Sequence, residues 1–178
     1  MSIEHGKTED ILKVFKKEKV MTLNLLADLL NCCKRTVQRR LTQWRAYTSY
    51  NQNGRYYALP GIPKFDKNGL WKYKGIFFSK NGNLKQTITA LVNKSSAGLT
   101  VAETSQLVGV LLSSFLSQNR YLEQLRREKV VARFVYFSPD ETTFIKQKQK
   151  RQENETRLKL TRLPTDTEAV IILVEKIK

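Results

Sequence analysis

The sequence predicts an α+β fold, mainly α, in which two small units follow one another and a helical appendage ends the chain. In each unit, segments with helical apolar periodicity and capping residues stand beside short aromatic segments typical of β-strands. Two prolines and a glycine at residues 60–63 interrupt regular structure between the units, and 178 residues suffice for two small cores. We therefore place the first unit at 1–60, a linker or strand at 61–75, the second unit at 76–139 and an extension at 140–178.

The first unit is predicted to begin with two helices. Thr8 is placed to cap the first helix, which ends near Lys19, and Thr22 is placed to cap the second. We expect the second helix to present four leucines to the core, namely Leu25, Leu26, Leu29 and Leu30.

A third helix and a β-hairpin complete the first unit. Over residues 34–44, Val37, Leu41 and Trp44 fall at spacings of four and three, which places them on one helical face. Two aromatic strand candidates, at about residues 47–50 and 55–59, flank an Asn-Gly pair that favours the positive φ of a turn.

The second unit repeats this alternation of helices and strands. We expect a helix ending at Gly109, a longer helix over about residues 112–128, and a strand over 130–137. Two capping-box pairs open the earlier helices of this unit, Asn83 with Gln86 and Thr100 with Glu103.

The extension combines two different segments. Residues 140–160 have almost no apolar periodicity, which predicts an exposed helix or a tether rather than core. Residues 166–178 are too apolar to stay exposed. We expect them to dock on the body, to pair with a second copy of the chain or a larger protein partner, or to continue into a missing domain.

The charge of the chain indicates a polyanionic partner. It contains 32 Lys and Arg against 16 Asp and Glu, a net charge of +16. Between Leu29 and Ala102 the single acid is Asp66, against thirteen basic residues. Such a field attracts nucleic acid before any specific contact forms.

The turn between the second and third predicted helices has a recognisable pattern. Ala27 is small enough for two helices to approach, Asn31 tolerates a left-handed turn, and Cys32 and Val37 supply buried apolar positions. With the hairpin that follows, this pattern resembles the helix-turn-helix of winged-helix transcription regulators, the DeoR-like kind in particular, over residues 8–59. The resemblance implies double-stranded DNA binding, and the repeated element order predicts two tandem winged-helix domains, each a helix-turn-helix with a β-hairpin wing.

The third helix carries the predicted DNA-reading surface. The face opposite Val37 and Leu41 is centred on Arg35, Arg39 and Thr42. Arg and Gln side chains can contact guanine and adenine edges in the major groove, and flanking basic residues reach phosphates. The DNA-binding candidates of the first unit are Lys34, Arg35, Thr36, Gln38, Arg39, Arg40, Thr42, Gln43, Arg45 and, in the wing, Arg55.

The second unit has a weaker candidate surface. Its predicted long helix presents a polar stripe for which phosphate positioning and protein contact are equally expected. The candidates are Ser113, Ser117, Arg120, Gln124 and Arg127, with a basic patch of Arg126, Arg127, Lys129 and Arg133 near the strand that would form a second wing. Because basic residues continue through the connector at 60–73, we expect both units to contact one duplex.

Other function classes are not favoured. The chain has one histidine and no nucleophile–base pair, phosphate-binding loop or metal-ligand spacing, so we expect no enzymatic activity, no cofactor and no metal. Adjacent Cys32 and Cys33 and the absence of a long apolar stretch or a signal-peptide pattern predict a cytoplasmic, nucleoid-associated protein without membrane contact. The interpretation is a transcription regulator or the DNA-recognition part of a mobile-element or phage system. The alternative is a tandem winged-helix adaptor that binds a protein or an RNA-containing complex.

Overall fold

A computed structural model describes residues 11–113 and 125–161, with side chains to residue 158. Its fold is α+β, as predicted, with small antiparallel sheets between the helices. Within the described ranges, no helix has the combination of length and apolar character that crossing a bilayer requires.

Over its described residues, the first unit combines three α-helices with a three-stranded sheet. The middle strand β3 pairs antiparallel with β1 on one side and with β2 on the other. In chain order the elements are α1 (described over 11–18), β1 (Met21–Thr22), α2 (Leu23–Leu30), α3 (Lys34–Gln43), β2 (Tyr47–Thr48) and β3 (Tyr56–Ala58).

Local signals place α2 and α3 as expected. The Thr22 hydroxyl accepts a hydrogen bond from the backbone N–H of Leu25 at 3.3 Å, and Asn31 ends α2 in the left-handed conformation with φ 48°. The prediction that four leucines of α2 face the core is wrong in part, because Leu25 and Leu29 are 43% and 42% exposed. In this two-turn helix, only the stripe through Leu26 and Leu30 meets the core.

A second hairpin joins the two units. Its strands β4 (Leu70–Tyr73) and β5 (Ile76–Ser79) pair with each other, so the hairpin spans the predicted boundary between residues 75 and 76. Trp71 and Phe78 pack with Ala58 of the first unit, whereas Leu70 belongs to the core of the second. The hairpin therefore contributes to both cores.

The second unit repeats the strand arrangement of the first. Strand β8 lies between β6 and β7, as β3 lies between β1 and β2. The predicted capping boxes are both present, and Gly109 ends α5 in the left-handed conformation. The elements are α4 (Leu84–Lys94), β6 (Leu99–Thr100), α5 (Val101–Val108), β7 (Arg126–Val130) and β8 (Arg133–Phe137).

Two predictions for this unit need correction. The long helix does not extend to Glu128, because β7 begins at Arg126. The segment 130–137 is not one strand, because Val131 adopts a φ of 58° and turns the chain between β7 and β8. The alternation of half-buried and exposed residues along β7 has the period of a strand, and cross-strand pairing with β8 stabilises it.

Helix α6 (Glu141–Thr161) forms the predicted helix of the extension, but it is not a tether. Phe144, Gln147 and Arg151 are buried where α6 packs on the second unit. Periodicity did not show this face because two of these three residues are polar, and their burial depends on hydrogen bonds.

Candidate nucleic-acid interface

One face of helix α3 packs against the core of the first unit, and the opposite face is exposed to solvent. Val37 and Leu41 are almost fully buried in the core of the first unit. On the opposite face Arg35, Arg39 and Thr42 are exposed, as the sequence predicted. Among the flanking candidates, Lys34, Gln38, Gln43 and Arg45 are exposed, and Thr36 and Arg40 are half-buried.

Hydroxyl groups on α3 are held by local hydrogen bonds. Thr42 Oγ1 donates to the backbone carbonyl of Gln38 at 3.0 Å, which leaves its lone pairs available as acceptors. At the start of the helix, Cys33 Sγ lies 3.3 Å from Thr36 Oγ1, and this contact lowers the pKa of the exposed Cys33 thiol. Cys33 makes no side-chain capping bond of the kind Thr22 makes in α2.

The loop between β2 and β3 is shaped by consecutive left-handed residues. Gln52, Asn53 and Gly54 have φ values of 52°, 55° and 67°. Asn51 fixes the base of this loop, because its side-chain amide donates to the Gly75 carbonyl at 2.8 Å and accepts from the Phe77 N–H at 2.9 Å. The loop therefore projects from a fixed base.

A groove of about 490 Å³ separates this loop from the start of α2. Thr22 and Asn24 line one side, and Asn53 and Arg55 line the other. Asn24 was not among the predicted residues, because no local pattern shows that the β2–β3 loop folds back towards α2. The predicted Arg55 is exposed at this groove.

The arginines of α3, of the residues after it and of the β2–β3 loop lie in a segment that is poor in acids. Arg35, Arg39, Arg45 and Arg55 make no salt bridge with any residue that the structure describes. Asp66, the one acid in residues 30–101, accepts hydrogen bonds from the backbone N–H groups of Asn68 and Leu70. The exposed face of α3 is therefore a cationic surface.

The structure does not place the predicted DNA-binding residues of the second unit on one helical face. Ser113 is exposed, and Ser117, Arg120 and Gln124 lie outside the described residues. Arg127 is on strand β7 rather than on a helix, and its guanidinium stacks 3.7 Å from the centre of the Phe134 ring.

Helix α6 pairs with two of the four basic residues in the patch on the β7–β8 hairpin. Arg126 is paired with Glu141 at 2.6 Å, and Arg133 lies 3.9 Å from Glu155. The hairpin in turn offers Glu128, which pairs with Lys148 at 2.8 Å. Arg127 and Lys129 make no salt bridge with a described residue, so only part of the positive charge of the patch is paired.

In the part of the chain that the structure describes, no three His, Cys, Asp or Glu side chains come together in a group that could hold a metal ion. No protein-family model, curated protein or solved structure matches the chain.

Proposed function

We propose that this chain is a double-stranded DNA-binding protein that recognises a specific site through α2 and α3. In this proposal both units are winged-helix modules, with the β2–β3 and β7–β8 hairpins as wings. The chain would act as a transcription regulator or as the DNA-recognition part of a mobile-element or phage system.

The exposed face of α3 carries the proposal. Arg35 and Arg39 project from a helix whose other face is locked by Val37 and Leu41, and no described acid pairs with them. An α-helix fits the major groove of B-DNA, where arginine makes bidentate contacts with guanine. A helix face whose charges served only to keep the protein soluble would more often carry acidic residues among the basic ones.

Two further observations support the proposal, one on the tandem arrangement and one on the wing of the first unit. The strand order β1-β3-β2 of the first unit recurs as β6-β8-β7 in the second, and a helix directly follows the first strand of each sheet, α2 after β1 and α5 after β6. In the first unit the loop between β2 and β3 stands beside the start of α2, so a wing and a helix end could hold successive phosphates.

A specific observation favours a protein-binding role for part of the second unit. Leu111, Val131 and Phe134 are 91%, 61% and 44% exposed, and Arg126 and Arg133 of the hairpin are paired with acids of α6. Exposed apolar residues beside neutralised charge fit a protein surface better than a phosphate backbone. The adaptor interpretation therefore stays open for this hairpin.

Selection from a random duplex pool tests the proposal. We expect the intact chain to enrich one sequence motif, and Arg35→Ala with Arg39→Ala to remove the preference while the fold is retained. Each lost base contact should cost about 1–3 kcal/mol of discrimination. Circular dichroism reports the fold, and Lys148→Ala with Lys150→Ala is the control with the same loss of charge. A double α3 variant that selects the parental motif would refute recognition through α3.

A further inference from the structure

A groove of about 590 Å³ lies between the two units. Thr42, Arg45 and Thr48, from the end of α3 and from β2, line one wall. Lys80 and Asn83, from the segment that leads from β5 into α4, line the other. Because Thr42 also belongs to the exposed face of α3, the groove is continuous with the candidate interface.

The walls of this groove are cationic. Arg45 and Lys80 are exposed, and neither makes a salt bridge with a described residue. Lys85 follows in the first turn of α4 and is also exposed without such a partner. No acid lines the groove. Unpaired positive charge among the described residues of the second unit thus lies at its beginning as well as on Arg127 and Lys129 of β7, whereas Arg126 and Arg133 of the hairpin are paired with acids of α6.

The two walls are held at a set distance. The Tyr50 hydroxyl donates to the Val108 carbonyl at 2.7 Å, which ties the end of β2 to α5 of the second unit. The Tyr50 N–H donates to the Phe77 carbonyl at 2.9 Å, which ties the same segment to the β4–β5 hairpin. A ligand in the groove would therefore meet both units without ordering a flexible linker, and this saves entropy on binding.

We propose that this groove seats the sugar-phosphate backbone of duplex DNA next to the bases contacted by α3. Arg45 contacts phosphates from the first unit, and Lys80 and Lys85 contact them from the second. The second unit thus engages the duplex through the segment that leads into α4, which lines the same groove as the end of α3. This inference rests on the proposed function, because it assumes that α3 enters the major groove.

Binding across a salt series tests the groove, with Lys80→Gln and Lys85→Gln combined in the full chain. Each phosphate contact contributes about 0.9 to the slope of log affinity against log salt concentration. We therefore expect the slope to fall by about two and the protected segment to shorten on one side. The preferred sequence should stay the same, because phosphate contacts carry no base information.

The matched control is Lys148→Gln with Lys150→Gln, which removes the same charge from two lysines of α6 that are paired with acids. This control should leave the slope near the parental value. An unchanged slope in the groove variant, or an equal fall in the control, would overturn the inference.

The outcomes separate the inference from the proposed function. If the chain binds all duplexes equally and the groove variant still lowers the slope, site recognition fails and the groove assignment stands. If the chain selects a motif and the groove variant behaves like the parent, recognition through α3 stands and the groove assignment fails. Preference for single-stranded RNA over duplex DNA would overturn both.

Discussion

Arg151 connects three parts of the second unit through one side chain. Its guanidinium donates to the backbone carbonyls of Ala97 and Gly98, both at 2.9 Å, and forms two bonds of 2.8 and 3.0 Å to the Glu103 carboxylate. Glu103 also accepts from the backbone N–H of Thr100, as part of the capping box of α5. Helix α6, the turn before β6 and the start of α5 are thereby joined.

The Glu103–Arg151 pair predicts a dependence of stability on pH. Burial alone would raise the pKa of Glu103, but the hydrogen bonds from Arg151 and Thr100 and the Arg151 charge outweigh it and lower the pKa to about 2, from a usual 4.5. A carboxyl group with a lowered pKa in the folded state stabilises the fold above its unfolded pKa. This contribution is lost as the pH falls from about 4.5 through about 2.

We expect Glu103→Gln to lower the free energy of unfolding at pH 7 by about 1 kcal/mol, since the carboxylate is partly exposed. The variant should also lose less stability than the parent between pH 4.5 and 2. Urea unfolding at a series of pH values measures both effects. Glu153→Gln, in an exposed pair with Lys150, is the control and should leave the acid dependence unchanged. Identical curves for parent and Glu103 variant would contradict the assigned role.

At the scale of elements, helices α3 and α6 are held on the body by different kinds of contact. Helix α3 is held by apolar side chains, whereas α6 is held largely by polar ones. The Gln147 side chain is 1% exposed, accepts a hydrogen bond from the Ser138 N–H at 2.8 Å, and donates to the Val92 and Ser95 carbonyls at 2.8 and 2.9 Å. One amide therefore connects α6 to β8 and to the end of α4.

Replacing this amide should loosen α6. We expect Gln147→Met to lower the free energy of unfolding by about 2 kcal/mol or more, because buried backbone groups would lose their partners. Urea unfolding gives the value, and Gln149→Met, at an exposed position of the same helix, should change it by less than about 0.5 kcal/mol. Equal stability of the two variants would show that apolar packing alone holds α6.

At the scale of the whole molecule, Tyr50 couples the units. Burial, with the Asp66 charge adding to it, raises the pKa of Tyr50 to about 12. A tyrosine with a raised pKa stabilises the folded state below its unfolded pKa, near 10, and this contribution disappears as the pH rises from about 10 towards 12.

We expect Tyr50→Phe to lower the free energy of unfolding by about 1 kcal/mol at pH 7, through loss of the bond to Val108. The variant should also lose less stability than the parent between pH 10 and 12. Tyr56→Phe is the control, because the Tyr56 hydroxyl donates to no described residue. Thermal unfolding at pH 7, 10 and 12 provides the measurement. If the Tyr50 and Tyr56 variants behaved alike, the hydroxyl bond would not couple the units.

Some expectations concern residues outside the described ranges. The cap at Thr8, the polar stripe of Ser117, Arg120 and Gln124, and the apolar segment 166–178 stay predictions. If residues 166–178 pair two copies of the chain, their removal should halve the mass measured by light scattering. An unchanged mass would favour docking on the body of the same chain.

The sequence by itself determined the local elements and the composition of the surface. The capping boxes at Asn83 and Thr100, the left-handed turn at Asn31 and the buried Val37 and Leu41 all followed from residues within one or two turns of each other, where such signals act. The acid-free character of residues 30–101 is a property of composition and does not depend on folding.

Only the tertiary structure decided which of the basic residues have an acidic partner and which do not. Arg151 and Glu103 are 48 residues apart in the chain, and the acids of α6 reach the β7–β8 hairpin only after the helix docks on it. The cationic groove likewise needs the fold to bring Arg45 of the first unit and Lys80 of the second to the lining of one groove. Charge pairing acts over a few ångströms in space, so its outcome is set by packing and not by order along the chain.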